Sequence, residues 1–514
     1  MRDGVIENRG LRVLLKRVFI IGVVVVILLT LVFWGHFKAQ SEGYIPSLRI
    51  TGDVATCLTI RSMAEAADTW EVKRIEHREQ EIKALSLQDL IAAAGLVTKS
   101  NKILLVGRDG LVAEIDADTL AESYLTFSAA NGWEAMNHKH PRSANIKEIK
   151  EIIVVARENH WDYGFNIIKK DKNVMNITPG QAYSGTAPFH PRLYRHFEGR
   201  SAIKHDDRVY ETGIFTLKRV FELGDLVEFC YSDRNLIMGQ RGGYGLLEKG
   251  GLFVLKGNHI NYISAGGKQE IEKVRGVLLN APDGSIMDHY HDVLYYIQDR
   301  NERVLTFLLD GFGWHQYEYA IEKGYAPFLA SLEKASKVTA LYPPITNVGL
   351  AAMITGKPPE YSGVYWRQRD LIIPSLFEVL TEQGKEAVLI GGSIKVLNGG
   401  IEWVLNIDKN ESGTVDDEIF ASALHHLEQK PDFIMVHFHS IDDTGESYGD
   451  LSAETMSAIK TVDGYMADLA ARWPGRVIIT SDHGMHSTPD GGQHGWFRFE
   501  DLLVPYLIIG HPDD

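Results

Sequence analysis

Apolar and polar positions along the chain fall into three textures. Residues 18–35, VFIIGVVVVILLTLVFWG, carry no ionisable side chain over eighteen positions, close to the shortest helix that spans a bilayer. From about residue 45 to 295 the apolar runs are short and β-rich. KILLVG and IKEIIVVA read as strands, and SLQDLIAAAG as a helix opened by Ser86 and closed by Gly95. From about residue 300 the pattern alternates strand and helix. RVLTFLLD is a buried strand ending in a carboxylate, with a helix expected around Tyr325 to Ala335, then KVTALYP, then a helix from about Asn347. SLFEVLTEQG pairs with EAVLIGG, DEIFASALHHLEQ with DFIMVHF, and AETMSAIKTVDGYMADLAARW with RVIITSDHG. Such alternation with β-branched strands predicts an α/β domain over 300–514, its sheet largely parallel and covered by helices on both faces.

The order of elements before residue 300 repeats itself. TLKRVFELG, LFVLKGNHINYISA and QEIEKVRGVLLNAP follow the same order as SLQDLIAAAG, GLVAEIDADTLAESYLTF and NIKEIKEIIVV. This predicts an internal duplication of mixed α+β modules, with halves at 45–160 and 161–295. The first half weakly resembles the molybdopterin-binding fold of the sulfite oxidase family. No cysteine sits in that family's metal-ligand setting, and no cofactor is carried over.

Composition adds limits. A chain of 514 residues, 45% apolar and 24% charged, suits two to four folded domains. A net charge of -15 excludes nucleic acid as the main partner, because no basic excess exists to hold a phosphate backbone. Arg9, Arg12, Lys16 and Arg17 precede the apolar run and only Lys38 follows closely. Residues 1–17 are then a cytoplasmic tail, 18–35 a single-pass membrane anchor, and the remainder extracytoplasmic. A cleaved signal peptide with AQS at 39–41 is the alternative. Two cysteines, Cys57 and Cys230, make no disulfide framework, and glycosylation-like triplets occur at Asn176 and Asn410. Oligomeric state is not legible.

The candidate chemistry lies at strand ends. Asp310 follows TFLL, Asp442 follows FIMVHFHSI in the short acidic loop HSIDDTGESYG, and Asp482 follows RVIITS. Ligands of open parallel sheets bind at the carboxyl ends of strands. Carboxylates gathered there repel unless cations separate them. His483 follows Asp482 and His494 lies in DGGQHGW; an Asp/Glu/His set suits Zn or Mn.

Four motifs in order then give the resemblance: LLDGFGW, PPITNVGLAAMITGKPPEYSGV, DDTGESYG and TSDHGM. Residues 300 to 510 resemble the alkaline phosphatase superfamily, most closely its type I phosphodiesterase/nucleotide pyrophosphatase branch. The resemblance implies two divalent ions, Zn with Mn as the alternative. One would be held by Asp310, Thr346, Asp482 and His483, the other by Asp442, Glu446 and His494. Glu446 and Ser362 stand where the family has His. Thr346 would be the nucleophile of a double displacement through a phospho-threonine, and Asn347 would bind substrate phosphate. Asp443 reads as a bystander, and His437 and His439 as flanking groups. The expectation is a membrane-anchored phosphodiesterase or pyrophosphatase acting on a phosphorylated small molecule or a lipid or wall component. A phosphomonoesterase, phosphonate hydrolase, phosphoethanolamine-type transferase or degenerate surface binding protein is the alternative.

Overall fold

The computed structural model describes residues 47–510 except 78–79, 100, 129, 138, 141, 185–191 and 206–207. The predicted tail and anchor, 1–17 and 18–35, lie outside the described residues. Among the described residues no helix is long and apolar enough to cross a membrane. The chain divides into two compact units, one ending at Val155 and the other beginning at Ala156.

The first unit holds a five-stranded sheet in the order Leu58–Ile60, Leu48–Gly52, Ile149–Ala156, Asn101–Gly107, Val112–Asp116, and a four-stranded sheet running from Val72–His77 to Gly132–Asn137. The helix Leu87–Ala94 is the one predicted. The Ser86 hydroxyl accepts from the Asp89 N–H, and Gly95 closes the helix at φ 73. Leu87, Leu90, Ile91 and Ala94 bury its inner face with Ile103, Leu105, Ile152 and Val154.

The second unit opens with a sheet of the same strand order: Asn173–Ile177, Phe165–Lys169, Val274–Leu279, Leu236–Gly239, Tyr244–Leu246. In both sheets the first strand forms an antiparallel hairpin with the next strand and pairs parallel to a strand from the end of the segment. TLKRVFELG is not the counterpart of a helix. It ends the fourteen-residue strand Arg208–Phe221, which pairs antiparallel with Arg192–His205. Backbone pairing with Arg192–His205 on one side and Leu252–Lys256 on the other overrides any helical reading.

Described residues on either side of position 300 pack together. Ile168, Leu236, Met238 and Leu278 share one core with Phe312, Tyr342 and Phe497. The Asn173 side chain donates to Glu500 at 2.8 Å and accepts from the Phe499 N–H at 3.0 Å.

The main sheet has eight strands: β1 (Gly284–Ser285), β2 (Val304–Leu309), β3 (Ser336–Thr339), β4 (Ala387–Gly391), β5 (Trp403–Leu405), β6 (Phe433–Phe438), β7 (Arg476–Thr480) and β8 (Leu503–Ile509). Their spatial order is β1-β3-β8-β7-β2-β6-β4-β5. The sheet is mixed: five pairings are parallel, but β8 runs antiparallel to both β7 and β3. An antiparallel return needs no crossover helix, so the link from β7 to β8 carries site residues instead. Along β2, Leu305, Phe307 and Leu309 enter one core, and Val304 and Leu308 the other. Alternation across the pleat thus buries both faces.

Three helices matter for the site: α1 (Thr346–Thr355), α2 (Asp416–Gln429) and α3 (Ser440–Tyr448). The helix expected around Tyr325 to Ala335 is a single short one, Pro327–Ser331, preceded by a longer helix not expected there. Trp314–Lys323 ends at Gly324 with φ 76, and Pro327 restarts the chain as Pro327–Ser331.

Candidate active site

Strands β7, β2 and β6 are adjacent and parallel, with Leu308 opposite Thr480 and Leu309 opposite Phe438. Their carboxyl ends therefore bring Asp310, Asp482 and the start of α3 to one edge. Asp310 is 3% exposed, and Asp482 and His483 are fully buried. HSIDDTGESYG is a helix rather than the loop expected from its Asp, Gly and Ser content. Its end is capped from outside: both Asp416 oxygens, at the start of α2, accept backbone N–H groups, from His439 at 2.8 Å and Ser440 at 3.0 Å. Four residues apart on α3, Asp442 and Glu446 share one face and meet His494 Nε2 at 3.8 and 3.3 Å.

Thr346 is the first residue of α1, where unpaired N–H groups and the helix dipole favour an anion. Its Oγ1 lies 3.4 Å from both Asp310 Oδ1 and His483 Nε2. His483 Nε2 is 3.3 Å from Asp310 Oδ1 and 3.5 Å from Asp482 Oδ2. Gly349 lets α1 come this close, since a Cβ there would stand 2.5 Å from the Asp482 carbonyl oxygen. One set, Asp310, Thr346, Asp482 and His483, is thus gathered as the resemblance implies. Asp442 and His494 are gathered too, and their group includes His483. Glu446 reaches His494 from the rim with a half-exposed side chain. Asp443 is exposed and Ser362 is packed away from water.

Asn347 is placed differently. Its amide Nδ2 donates to the carbonyls of Gln368 at 3.2 Å and Val396 at 2.9 Å. Both amide protons are committed, so the Asn347 side chain ties loops together at the cavity edge and has no donor left for a phosphate.

His437 and His439, flanking groups in the sequence, hold the unused side of Asp310. His437 Nε2 is 2.9 Å and His439 Nδ1 3.4 Å from Asp310 Oδ2, which turns Oδ1 toward Thr346. Burial pushes the Asp310 carboxyl up, but hydrogen bonds from His437, His439 and His483 outweigh it and hold the group well below the usual range. Burial, and then the Asp310 charge, push Asp442 and Asp482 each up to about 7. Burial opposes protonation of His483, but Asp482 and Asp310 draw it well above its ordinary value. Burial, then the charge on His439, brings His437 down to about 4.

Asp482 Oδ2 and Asp442 Oδ1 are buried with no hydrogen-bond partner among the described residues. The histidines are oriented to match. His483 Nδ1 faces the Gly484 carbonyl at 3.0 Å and His494 Nδ1 the Pro344 carbonyl at 3.2 Å. Donation there leaves each Nε2 facing the carboxylates, where it can give up its proton to an incoming cation. Orphaned oxygens and backbone-oriented imidazoles are what divalent ions require, so this donor set fits them.

A cavity of about 590 Å³ opens over these groups. It is lined by Asp310, Thr346, Asp442, Glu446 and His494, and also by Arg367 and Arg369 with Ile394 and Val396. Sequence reasoning missed Asp416 and both arginines. Asp416 looks like an ordinary acidic helix start, and nothing local marks the arginines.

Residues 304–373 and 397–508 match the family model for type I phosphodiesterase / nucleotide pyrophosphatase. The match makes this region similar to that family. This phosphodiesterase-like region carries Thr346 and all the gathered acidic and histidine groups within the matched segments. No curated protein matches the chain. Solved structures similar to it include phosphonoacetate hydrolase from Sinorhizobium meliloti 1021 in complex with phosphonoformate, at 19% identity and a TM-score of 0.31, covering 36% of this chain and 57% of that one. Another is murine ectonucleotide pyrophosphatase / phosphodiesterase 5, at 20% identity and a TM-score of 0.29, covering 36% and 58%.

Proposed function

We propose that the phosphodiesterase-like region hydrolyses phosphodiesters or pyrophosphates by double displacement through phospho-Thr346. The observation that carries this reading is Thr346 Oγ1 standing 3.4 Å from both Asp310 Oδ1 and His483 Nε2 at the start of α1. Asp310, Thr346, Asp482 and His483 would hold one divalent ion, and Asp442, His494 and the rim residue Glu446 a second, Zn or Mn. Bound there, such ions lower the pKa of the hydroxyl and draw charge from the phosphoryl oxygens. His437 and His439 keep Asp310 turned toward the hydroxyl. The first turn of α1 presents its N–H groups to the anionic phosphoryl group. Thr346 Oγ1 attacks phosphorus and the ester oxygen departs; water then attacks the phospho-threonine and restores the hydroxyl.

The reading extends to the rest of the chain. Residues 18–35 form a single-pass anchor that places the hydrolase outside the cytoplasm, supported by the apolar run and the basic residues before it. The substrate is a phosphorylated small molecule or a lipid or wall component, not nucleic acid. The shared strand order of 48–156 and 165–279 supports an internal duplication.

Hydrolysis of bis-p-nitrophenyl phosphate with Zn or Mn, beside Thr346→Ala and a chelated control, tests the reading. Metal-dependent turnover lost in the variant is the expected result. Absence of turnover with either metal, or turnover indifferent to the substitution, refutes it.

A further inference from the structure

The cavity over Thr346 is lined by groups of opposite charge: Asp310, Asp442, Asp443 and Glu446 carry carboxylates, Arg367 and Arg369 guanidinium groups. Both arginines are exposed, and neither guanidinium has an ion-pair or hydrogen-bond partner among the described residues. Arginine is a carboxylate and phosphate reader because its planar fork donates in pairs. Two unpaired forks facing a cavity that also holds four carboxylates have not been used to neutralise them.

The turn that carries the arginines is built. Gln368 lies between them, and its carbonyl accepts from the Asn347 amide, one residue after the nucleophile. The Gln368 side-chain oxygen accepts from the Tyr365 and Trp366 N–H groups at 3.0 and 2.6 Å. The Asn398 N–H donates to the Arg369 carbonyl at 2.7 Å, and the Asn398 amide to Asp370 Oδ1 at 2.7 Å. The Ile372 N–H closes the turn on the Ser362 carbonyl at 3.0 Å. The arginine backbones are therefore fixed relative to Thr346 while their guanidinium groups remain available. A cavity of about 590 Å³ is roughly 10 Å across if spherical, within the range of small-molecule sites. That leaves room for a reacting phosphate and a short tail.

We propose that Arg367 and Arg369 form an anion subsite that selects esters bearing a second anionic group, phosphoryl or carboxylate, a few bonds from the reacting phosphorus. The inference rests on the phosphodiesterase reading for the position of the first phosphate. The subsite needs no cation of its own, and its preference weakens with salt because both guanidinium groups are exposed.

The test is calorimetric binding of three non-hydrolysable probes to the full chain loaded with Zn or Mn at low salt. The probes are butylphosphonate, a phosphonate ending in a carboxylate on a three-carbon chain, and a bisphosphonate with a three-carbon bridge. The two charged-tail probes are expected to bind about tenfold tighter than butylphosphonate, as charge-assisted hydrogen bonds permit. The larger advantage identifies the natural tail as carboxylate or phosphoryl. In R367Q/R369Q, shown folded by circular dichroism, the advantage falls below about twofold, whereas R367K/R369K retains part of it. Equal binding of all three probes, absence of binding, or an advantage that survives R367Q/R369Q overturns the proposal. Hydrolysis of bis-p-nitrophenyl phosphate on the same samples separates the two claims. A tail advantage without turnover refutes the hydrolase reading alone, and turnover without a tail advantage refutes the subsite alone.

Discussion

Asp416 gives the sharpest test of how the site is built. It is 1% exposed, and its two oxygens accept the N–H groups that open α3 at 2.8 and 3.0 Å. Each hydrogen bond to a charged acceptor stabilises by about 1.5–3 kcal/mol, so the pair contributes on the order of 3–6 kcal/mol. Part of that offsets the burial of the carboxyl, which burial pushes upward against the bonds from His439 and Ser440. The net loss expected for Asp416→Ala is then about 2–4 kcal/mol. Asp416→Asn turns an NH₂ toward one of the two N–H groups and should lose about 1–2 kcal/mol, the effect of one bond. Because Asp442 sits in the first turn of α3, a frayed start should weaken one of the two bound ions about tenfold and leave the other nearly unchanged. Urea unfolding gives the first number and competitive metal titration the second. An Asp416→Ala protein within about 0.5 kcal/mol of wild type, binding both ions as tightly, would falsify this account.

Three further predictions follow from the same geometry. Gly349→Ala puts a Cβ 2.5 Å from the Asp482 carbonyl; it should lose about 1–3 kcal/mol of stability by overpacking and most of the turnover by displacing Thr346, and near-normal kinetics would contradict the packing argument. Asp442 and Asp482 are pushed up to about 7 and His483 is drawn well above its ordinary value, so an incoming cation must displace protons from all three; metal affinity should rise with pH from 5 through 7 and go on rising above it as His483 deprotonates, and a flat titration between pH 5 and 7 would rule this out. His289 is buried between the Met353 carbonyl and the Thr306 hydroxyl, and burial brings it down to about 4. The unfolded chain takes up a proton near 6.5 that the fold refuses, so stability present above 6.5 is lost as pH falls toward 4, by about 3 kcal/mol. His289→Gln should flatten this acid limb of the urea midpoint, and an unchanged slope would show that another group causes it.

Strands β2, β6 and β7, helix α2 and the family motifs were legible in the sequence because each is local. Apolar runs of five or six residues, a periodic helical stretch and a strand-end aspartate need no distant partner to be recognised. Sequence order likewise fixed which acidic and histidine residues stand at strand ends, since parallel strands put those ends on one edge. The sequence did not show that HSIDDTGESYG is helical: Asp416, some two dozen residues earlier, supplies the acceptors that its Asp- and Gly-rich start lacks. Nor could it show that the amide of Asn347 is spent on Gln368 and Val396, that His437 and His439 turn Asp310, or that Arg367 and Arg369 line one cavity with the carboxylates. These depend on contacts between residues 20 to well over 100 positions apart. Such pairings leave no periodicity in the chain, because hydrogen-bond geometry is set only when packed elements bring the two partners within about 3 Å.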